Sequence, residues 1–309
     1  WHQAFPDCLK QLLVGKTPPG QRNITLNFLE SYLFQVASWA AARGYEFSQI
    51  DVLNEIAFDQ TEGGEPQIDH PELRDSDWSR AIGDDPQTKE PYYITVLKMV
   101  RKYFPQSQLL YNEYNEYHEP KCTAICKIVD QIKAAESVSG VTLLDGIGLQ
   151  SHYSEYNPAA QRATQPIDVY QTMYKLAKTG KALYRSEYDF TEKNPNNSNK
   201  PEIVNAIKET DQKCGVKGHI GWGNSDQLSW QPNQNATLVQ SNGESKPDYE
   251  YFATTYSQKR KQPQIQKEQP KTLTLKPKEQ PPSGFINITI IILLIVTFIL
   301  LLIIGYLFI

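Results

Sequence analysis

The chain has 309 residues, 39% of them hydrophobic and 11% aromatic, which is enough for one large domain or two small ones with a buried core. Its 35 acidic residues outnumber its 31 basic residues and give a net charge of −4, and this balance argues against a nucleic-acid binder. Four cysteines are too few for a disulfide scaffold, and their spacing predicts no metal site.

Helical patterns alternate with short apolar runs from residue 1 to residue 256, which is typical of βα units around a parallel sheet. The first helix contains an apolar face between Phe28 and Trp39 and stops near Gly44. Four more helices are predicted at 88–104, 124–136, 169–178 and 202–212. Each of the five helices precedes a predicted strand, at 50–55, 109–115, 144–152, 182–190 and 219–226.

Polar residues recur where these strands end. They are Asn54 and Glu55, then Asn112, Glu113 and Asn115, then Gln150 and His152, then Glu187 and Asp189, and finally Asn224 and Asp226. Such residues also cap helices, so any one of them has an ordinary explanation. Five strands with the same feature instead indicate an active-site edge, because reactive groups of α/β folds collect at the carboxyl ends of the strands.

Glu55 and Glu187 are the candidate reactive groups. Two carboxyls that face each other across a cleft can hydrolyse a glycosidic bond when one is protonated and the other ionised, and this chemistry needs no cofactor and no metal. The chain has no G-x-S-x-G elbow and no phosphate-binding glycine loop, so serine-hydrolase and nucleotide chemistry are weaker interpretations. Trp222 and Trp230 offer flat apolar faces that can stack on sugar rings.

The C-terminal part differs from the rest. Residues 257–284 form a Pro/Lys/Gln-rich linker in which seven basic residues face two acidic ones, and residues 285–309 are uncharged. A run of 25 such residues is long enough to cross a bilayer, so we expect one transmembrane helix at 285–309. A removed signal for a lipid anchor is the alternative.

The expected localisation is therefore the membrane, with a single pass and the domain at 1–256 outside the cell. Three sequons, at Asn23, Asn196 and Asn235, suit an exported domain. The basic linker next to the span would ordinarily lie on the cytoplasmic side, but long domains often override that bias.

Six segments resemble, in the same order, the motifs of glycoside hydrolase family 10, the β-1,4-xylanases. The segments are Asp51-Val-Leu-Asn-Glu55, Leu73-Arg-Asp-Ser-Asp-Trp78, Tyr111-Asn-Glu-Tyr-Asn115, Asp145-Gly-Ile-Gly-Leu-Gln-Ser-His152, Ser186-Glu-Tyr-Asp189 and Trp222-Gly through Ser229-Trp230. Trp1-His2 is similar to the Trp-His motif at the end of the family's third strand. The resemblance implies a (β/α)8 TIM barrel and a retaining double displacement on xylan.

The resemblance also assigns roles to residues. Glu187 matches the nucleophile and Glu55 the general acid/base, and His152 and Asp189 match the residues that support the nucleophile. Asn54, Gln150 and His2 match residues that contact the reacting sugar, and Trp222 and Trp230 match the walls of its subsite. Glu113 stands where the family usually has Asp.

Placed on the family's barrel, the chain begins within the third strand, so the first two strands and most of the third would be missing. An incomplete barrel exposes sheet edges and an unfilled core, and we therefore expect this chain on its own to be unstable or inactive. We interpret 1–256 as a partial catalytic barrel, 257–284 as a linker and 285–309 as a membrane helix.

The leading hypothesis is a membrane-tethered endo-β-1,4-xylanase whose partner is xylan. Two alternatives stay open. One is a hydrolase of another β-linked glucan, and the other is a membrane-tethered protein that binds a glycan without cleaving it.

Overall fold

Helices and strands alternate along the chain in the computed structural model. The structure describes residues 4–60, 66–67, 69–155, 163–192, 198–231, 234–249 and 251–252, all of them within the compact unit Trp1–Lys259. The predicted linker, the predicted membrane helix and His2 lie outside the described residues. Within the described part of the chain, no helix is both long enough and apolar enough to cross a membrane.

The described residues include the seven α-helices and six β-strands that follow, and residues 247–249 and 251–252 are also helical. The helices α1 to α7 are Asp7–Leu13, Pro18–Ala42, Asp77–Ile82, Tyr92–Tyr103, Glu119–Ser139, Pro166–Ala177 and Lys200–Cys214. The strands β1 to β6 are Gln49–Asn54, Gln108–Glu113, Gly146–Leu149, His152–Ser154, Ala182–Thr191 and His219–Gly221.

The strands pair in parallel. Strand β2 lies between β1 and β3, and β5 pairs with β3 on one side and with β6 on the other. Strand β4 pairs with the distal part of β5, so β3 and β4 are two halves of one strand path. The path is broken at Ser151, whose φ of 58° lies in the left-handed region that non-glycine residues rarely adopt.

The core lies between the helices and one face of this sheet. Because side chains alternate along a strand, Leu109 and Tyr111 of β2 are buried under the helices while Asn112 faces the other way. The apolar face of α4 repeats at helical spacing, with Tyr93, Leu97 and Val100 all buried. The same core includes Ile125, Ile128 and Ile132 of α5, Val169 and Met173 of α6, and Ile203 and Ile207 of α7.

The five predicted strands and five predicted helices are confirmed, with shifted boundaries. The strand predicted at 219–226 was too long, because β6 ends at Gly221 and Asp226–Leu228 is a short 3-10 helix. Asp226 does not extend the active-site edge as predicted, and its carboxylate accepts hydrogen bonds from Thr237 and Lys246 in the following loop. Two short helices, α1 and α3, were not predicted.

One buried charge cluster joins the sheet to α7. Arg185 of β5 is fully buried, and its Nη2 lies 2.7 Å from Oδ1 of Asp211. Its Nη1 donates to Ser151 Oγ at 2.9 Å and to the Tyr153 hydroxyl at 2.8 Å. Burial disfavours ionisation of Asp211, but Arg185 and His219 outweigh that effect and hold its pKa below the usual range. The Arg185 guanidinium therefore holds Ser151, the residue at the break between β3 and β4, through a hydrogen bond.

Replacement of Arg185 by Met should destabilise the fold strongly, because it leaves the buried Asp211 carboxylate without its main partner. We expect a loss of about 3–5 kcal/mol in the free energy of unfolding. Arg80→Met is the matched control, since Arg80 is exposed and pairs with surface carboxylates, and it should lose no more than about 1 kcal/mol. Urea unfolding of the full-length protein measures both, and equal losses would contradict the supporting role of Arg185.

Candidate active site

Five of the candidate residues converge at the carboxyl edge of the sheet, although they come from three separate stretches of the chain, 54–55, 150–152 and 187. Asn54 ends β1 and Glu55 follows it, Gln150 follows β3, His152 begins β4, and Glu187 lies within β5. The side-chain amide of Gln150 donates to Glu55 Oε1 at 3.0 Å and to Asn54 Oδ1 at 3.4 Å. The structure therefore brings the predicted acid/base into one hydrogen-bonded group with two predicted sugar-contacting residues.

Glu55 has an unusual backbone. Its φ is 58°, and its N–H donates to the carbonyl of Asn112 at 2.9 Å. A left-handed conformation at a residue with a long side chain is costly and persists only where surrounding contacts hold it. The conformation turns the chain out of β1 at the residue whose carboxyl is the candidate acid/base.

Asn112, the penultimate residue of β2, connects the two carboxylate-bearing segments. Its Nδ2 donates to Asn54 Oδ1 at 2.8 Å and to Glu187 Oε1 at 2.7 Å. Its Oδ1 accepts a hydrogen bond from Ser186. The amide lies over Gly148, where an added Cβ would come within 2.4 Å of Asn112 Oδ1. Glycine at this position of β3 leaves the space that the amide occupies.

Ser186 and Glu187 both reach Asn112, although neighbouring residues of a regular strand point to opposite faces. The register of β5 against β6 shifts between Arg185 and Tyr188, and this irregularity allows both side chains to turn to the same side. A similar shift between Asp51 and Leu53 precedes Asn54 on β1. Irregular backbone is therefore found in both strands that lead to the candidate carboxylates.

His152 bridges Glu187 and Asp189. Its Nδ1 lies 2.9 Å from Asp189 Oδ1, and its Nε2 lies 3.3 Å from Glu187 Oε2. Burial disfavours the charged ring, but the hydrogen bonds and charges of the two carboxylates outweigh burial and raise the pKa of His152 to about 9. At neutral pH the ring is an imidazolium that donates to both carboxylates.

The two predicted tryptophans flank the histidine. The ring centroids of Trp230 and Trp222 lie 5.4 Å and 6.1 Å from that of His152. Trp230 Nε1 also donates to Asp189 Oδ2 at 2.6 Å. Trp222 is 44% exposed and Trp230 is 56% exposed, so each offers aromatic surface to solvent beside Glu187.

Sequence reasoning gave no role to two residues that belong to this site. Asn112 appeared only as a strand-end residue, and nothing in the sequence marks the register shift that lets it reach Glu187. Asp51 appeared only within a motif; its side chain is exposed, yet partial desolvation by its surroundings and then the charge of Glu187 raise its pKa. In the part of the chain that the structure describes, no cluster of three or more His, Cys, Asp or Glu residues could hold a metal ion.

The charge of His152 should make stability depend on pH. Its pKa rises from about 6.5 in the unfolded chain to about 9 in the fold, so its contribution is complete below pH 6.5 and is lost as the pH rises through 9. The full contribution corresponds to about 3 kcal/mol. Urea unfolding of wild type and His152→Gln at several pH values checks this expectation. The difference between them should shrink on the alkaline side, whereas a constant difference would contradict the assignment.

Comparison with known proteins gives a consistent result. The sequence model of Glycosyl hydrolase family 10 matches residues 1–255. Bifunctional endo-1,4-beta-xylanase XylA of Ruminococcus flavefaciens is 28% identical over 204 residues, which are 65% of this chain and 19% of that protein. Exoglucanase XynX of Acetivibrio thermocellus is 26% identical over 264 residues, or 81% of this chain and 21% of that protein. The matches thus span about a fifth of each of these relatives.

A solved structure shows the same fold. The crystal structure of TsXylA, a xylanase of Thermoanaerobacterium saccharolyticum, superposes with a TM-score of 0.61 at 22% identity, over 81% of this chain and 72% of that one. The predicted α/β barrel class is confirmed, since parallel strands and outer helices here match a family 10 (β/α)8 barrel. Because the family model covers residues 1–255 of 309, the chain belongs to glycosyl hydrolase family 10.

Proposed function

We propose that the protein is a retaining glycoside hydrolase that cleaves internal β-1,4-xylosidic bonds of xylan. The observation that carries the proposal is the shared hydrogen-bond group around Asn112 and Gln150, which holds Glu187 and Glu55 at one edge of the sheet. Two carboxyls in one hydrogen-bonded group, with exposed aromatic rings nearby, are the side chains that glycoside hydrolysis requires.

Glu187 is the nucleophile in the proposed first step. Its carboxylate attacks the anomeric carbon while Glu55 transfers a proton to the leaving oxygen, so the glycosidic bond breaks as an ester bond to Glu187 forms. The imidazolium of His152 lies against Glu187 and stabilises negative charge on it. The carboxylate of Asp189 holds the His152 ring in place, and Trp230 in turn donates a hydrogen bond to that carboxylate.

Glu55 changes role in the second step. While Glu187 carries the sugar it has no negative charge, so Glu55 loses the repulsion that favoured its protonated form and can accept a proton from water. The water then attacks the anomeric carbon and restores the free Glu187 carboxylate. The first step inverts the configuration of the anomeric carbon and the second step inverts it again, so the product keeps the β configuration.

The proposed substrate is a β-1,4-linked xylan chain. Asn54 and Gln150 place amide groups next to Glu55, where they can contact hydroxyls of the reacting sugar, and Trp222 and Trp230 can stack on its ring. His2 remains a predicted sugar contact. The relative named as an exoglucanase favours a second candidate, another β-linked glucan.

Two substitutions test the catalytic assignment. Glu187→Ala should abolish hydrolysis of xylan, because no covalent intermediate can form. Glu55→Ala should lose about 10²–10⁴-fold on xylan but much less on an aryl xylobioside whose leaving group needs no proton. Added azide should then accelerate Glu55→Ala by attacking the intermediate. Steady-state kinetics of the full-length protein give these values on xylan and on a β-glucan.

Glu209→Ala is the matched control for both variants, since Glu209 pairs with Lys213 on the exposed face of α7 and should keep wild-type rates. Wild-type protein that binds xylan without cleaving it would overturn the enzyme proposal in favour of a glycan-binding protein. Cleavage of the β-glucan alone would move the proposal to the second substrate.

We also propose that residues 285–309 tether the domain to a membrane, with the domain outside the cell. The tether rests on the 25 uncharged residues of this segment, and the placement of the domain outside the cell rests on the sequons at Asn23, Asn196 and Asn235. The full-length protein should stay with membranes after alkaline carbonate washing, and a version ending at residue 284 should be released. Retention of both versions, or release of both, would contradict the tether.

A further inference from the structure

A second buried ion pair lies under the turn that carries Glu55. Lys121 of α5 and Glu113 at the end of β2 are almost completely inaccessible, and Lys121 Nζ lies 2.8 Å from Glu113 Oε2. The ammonium also lies 4.2 Å from the ring centroid of Tyr114, and the Tyr111 hydroxyl donates to Glu113 Oε1 at 2.8 Å. Burial is costly for both charges, so such a pair is weak evidence for a gain in stability.

The pair binds both backbone polar groups of one residue, Ala57. The Ala57 N–H donates to Glu113 Oε1 at 2.6 Å, and the Ala57 carbonyl accepts from Lys121 Nζ at 2.7 Å. Ala57 is fully buried and comes two residues after Glu55. The contacts therefore fix the exit of the turn at the point where the chain leaves the candidate acid/base.

The entrance of the turn is held by Asn112, which precedes Glu113 in β2. The Glu55 N–H donates to the carbonyl of Asn112, directly before Glu113. Between these anchors, the carbonyl of Ile56 accepts from the Arg74 N–H at 2.8 Å. Each of the three residues from Glu55 to Ala57 is thus held through its backbone, and this explains how the left-handed conformation of Glu55 persists.

We propose that Glu113 and Lys121 are positioning residues for Glu55, a role that rests on the proposed function. They touch no reacting atom. By holding Ala57 on both sides they keep the Glu55 carboxyl at the place from which it protonates the leaving group.

The test is a double variant, Glu113→Leu with Lys121→Met, which removes both contacts to Ala57 and leaves no charge buried alone. A misplaced acid/base affects only bonds whose leaving group needs a proton. The loss in kcat/KM should therefore be at least about 10-fold greater on unactivated xylotetraose than on a dinitrophenyl xylobioside, since misplacement of a reacting group by about 1 Å can cost about 10²-fold.

Glu113→Asp provides a graded variant, because it keeps a carboxylate opposite Lys121 and installs the residue that the family usually has at this position. Its selective loss should be far smaller than that of the double variant. Lys133→Met is the matched control on the same helix, because Lys133 Nζ donates to the carbonyl of Thr179, which follows α6, at 2.8 Å. It should keep the wild-type ratio of the two substrates.

The outcomes separate this proposal from the proposed function. If Glu55→Ala shows selective loss and azide acceleration but the double variant loses activity equally on both substrates, the pair is merely structural and the positioning role is overturned. The positioning role is also overturned if the double variant keeps the wild-type ratio of the two substrates. If Glu55→Ala itself shows no selective loss, the proposed function fails first.

Discussion

The side-chain amide of Asn112 is the contact on which the candidate site depends. It joins Asn54 on β1 to Glu187 on β5, two strands that do not pair with each other. The Asn112 amide can reach both residues for two reasons. Gly148 leaves room on β3, the strand between β2 and β5, and the register of β5 shifts next to Glu187. A single polar group thus sets the relative position of the two segments that carry the candidate carboxylates.

Buried charges support this layer from the helix side. Arg185 holds Ser151, the residue before His152, while Glu113 and Lys121 hold Ala57, two residues after Glu55. In both places a charged group binds backbone or hydroxyl groups at or near a residue with positive φ. Burial of charged groups costs free energy of folding. Because such groups occur twice next to the site, we infer that they position its reactive groups at some cost in stability.

The order of helices and strands could be predicted from the sequence, because apolar runs such as 109–111 and helical faces such as that of α4 follow simple periods. The position of Glu55 directly after a strand was equally visible, whereas His152 begins β4 and Glu187 lies within β5 rather than at the predicted strand ends. Helix α3 was missed because it is short and depends on a Ser76–Ser79 capping box. The roles of Asn112 and Lys121 could not be seen, since register shifts depend on strand pairing and a helical Lys is ordinarily solvated.

The central claim is that Glu187 is the nucleophile of a covalent double displacement. The most direct measurement is to treat the full-length protein with a 2-deoxy-2-fluoro aryl xylobioside, which slows the second step more than the first, and to map the labelled peptide by mass spectrometry. We expect one 2-deoxy-2-fluoroxylobiosyl group attached to Glu187, and none in Glu187→Ala. A label on another residue such as Glu55, or the absence of any label in a protein that cleaves xylan, would contradict the claim.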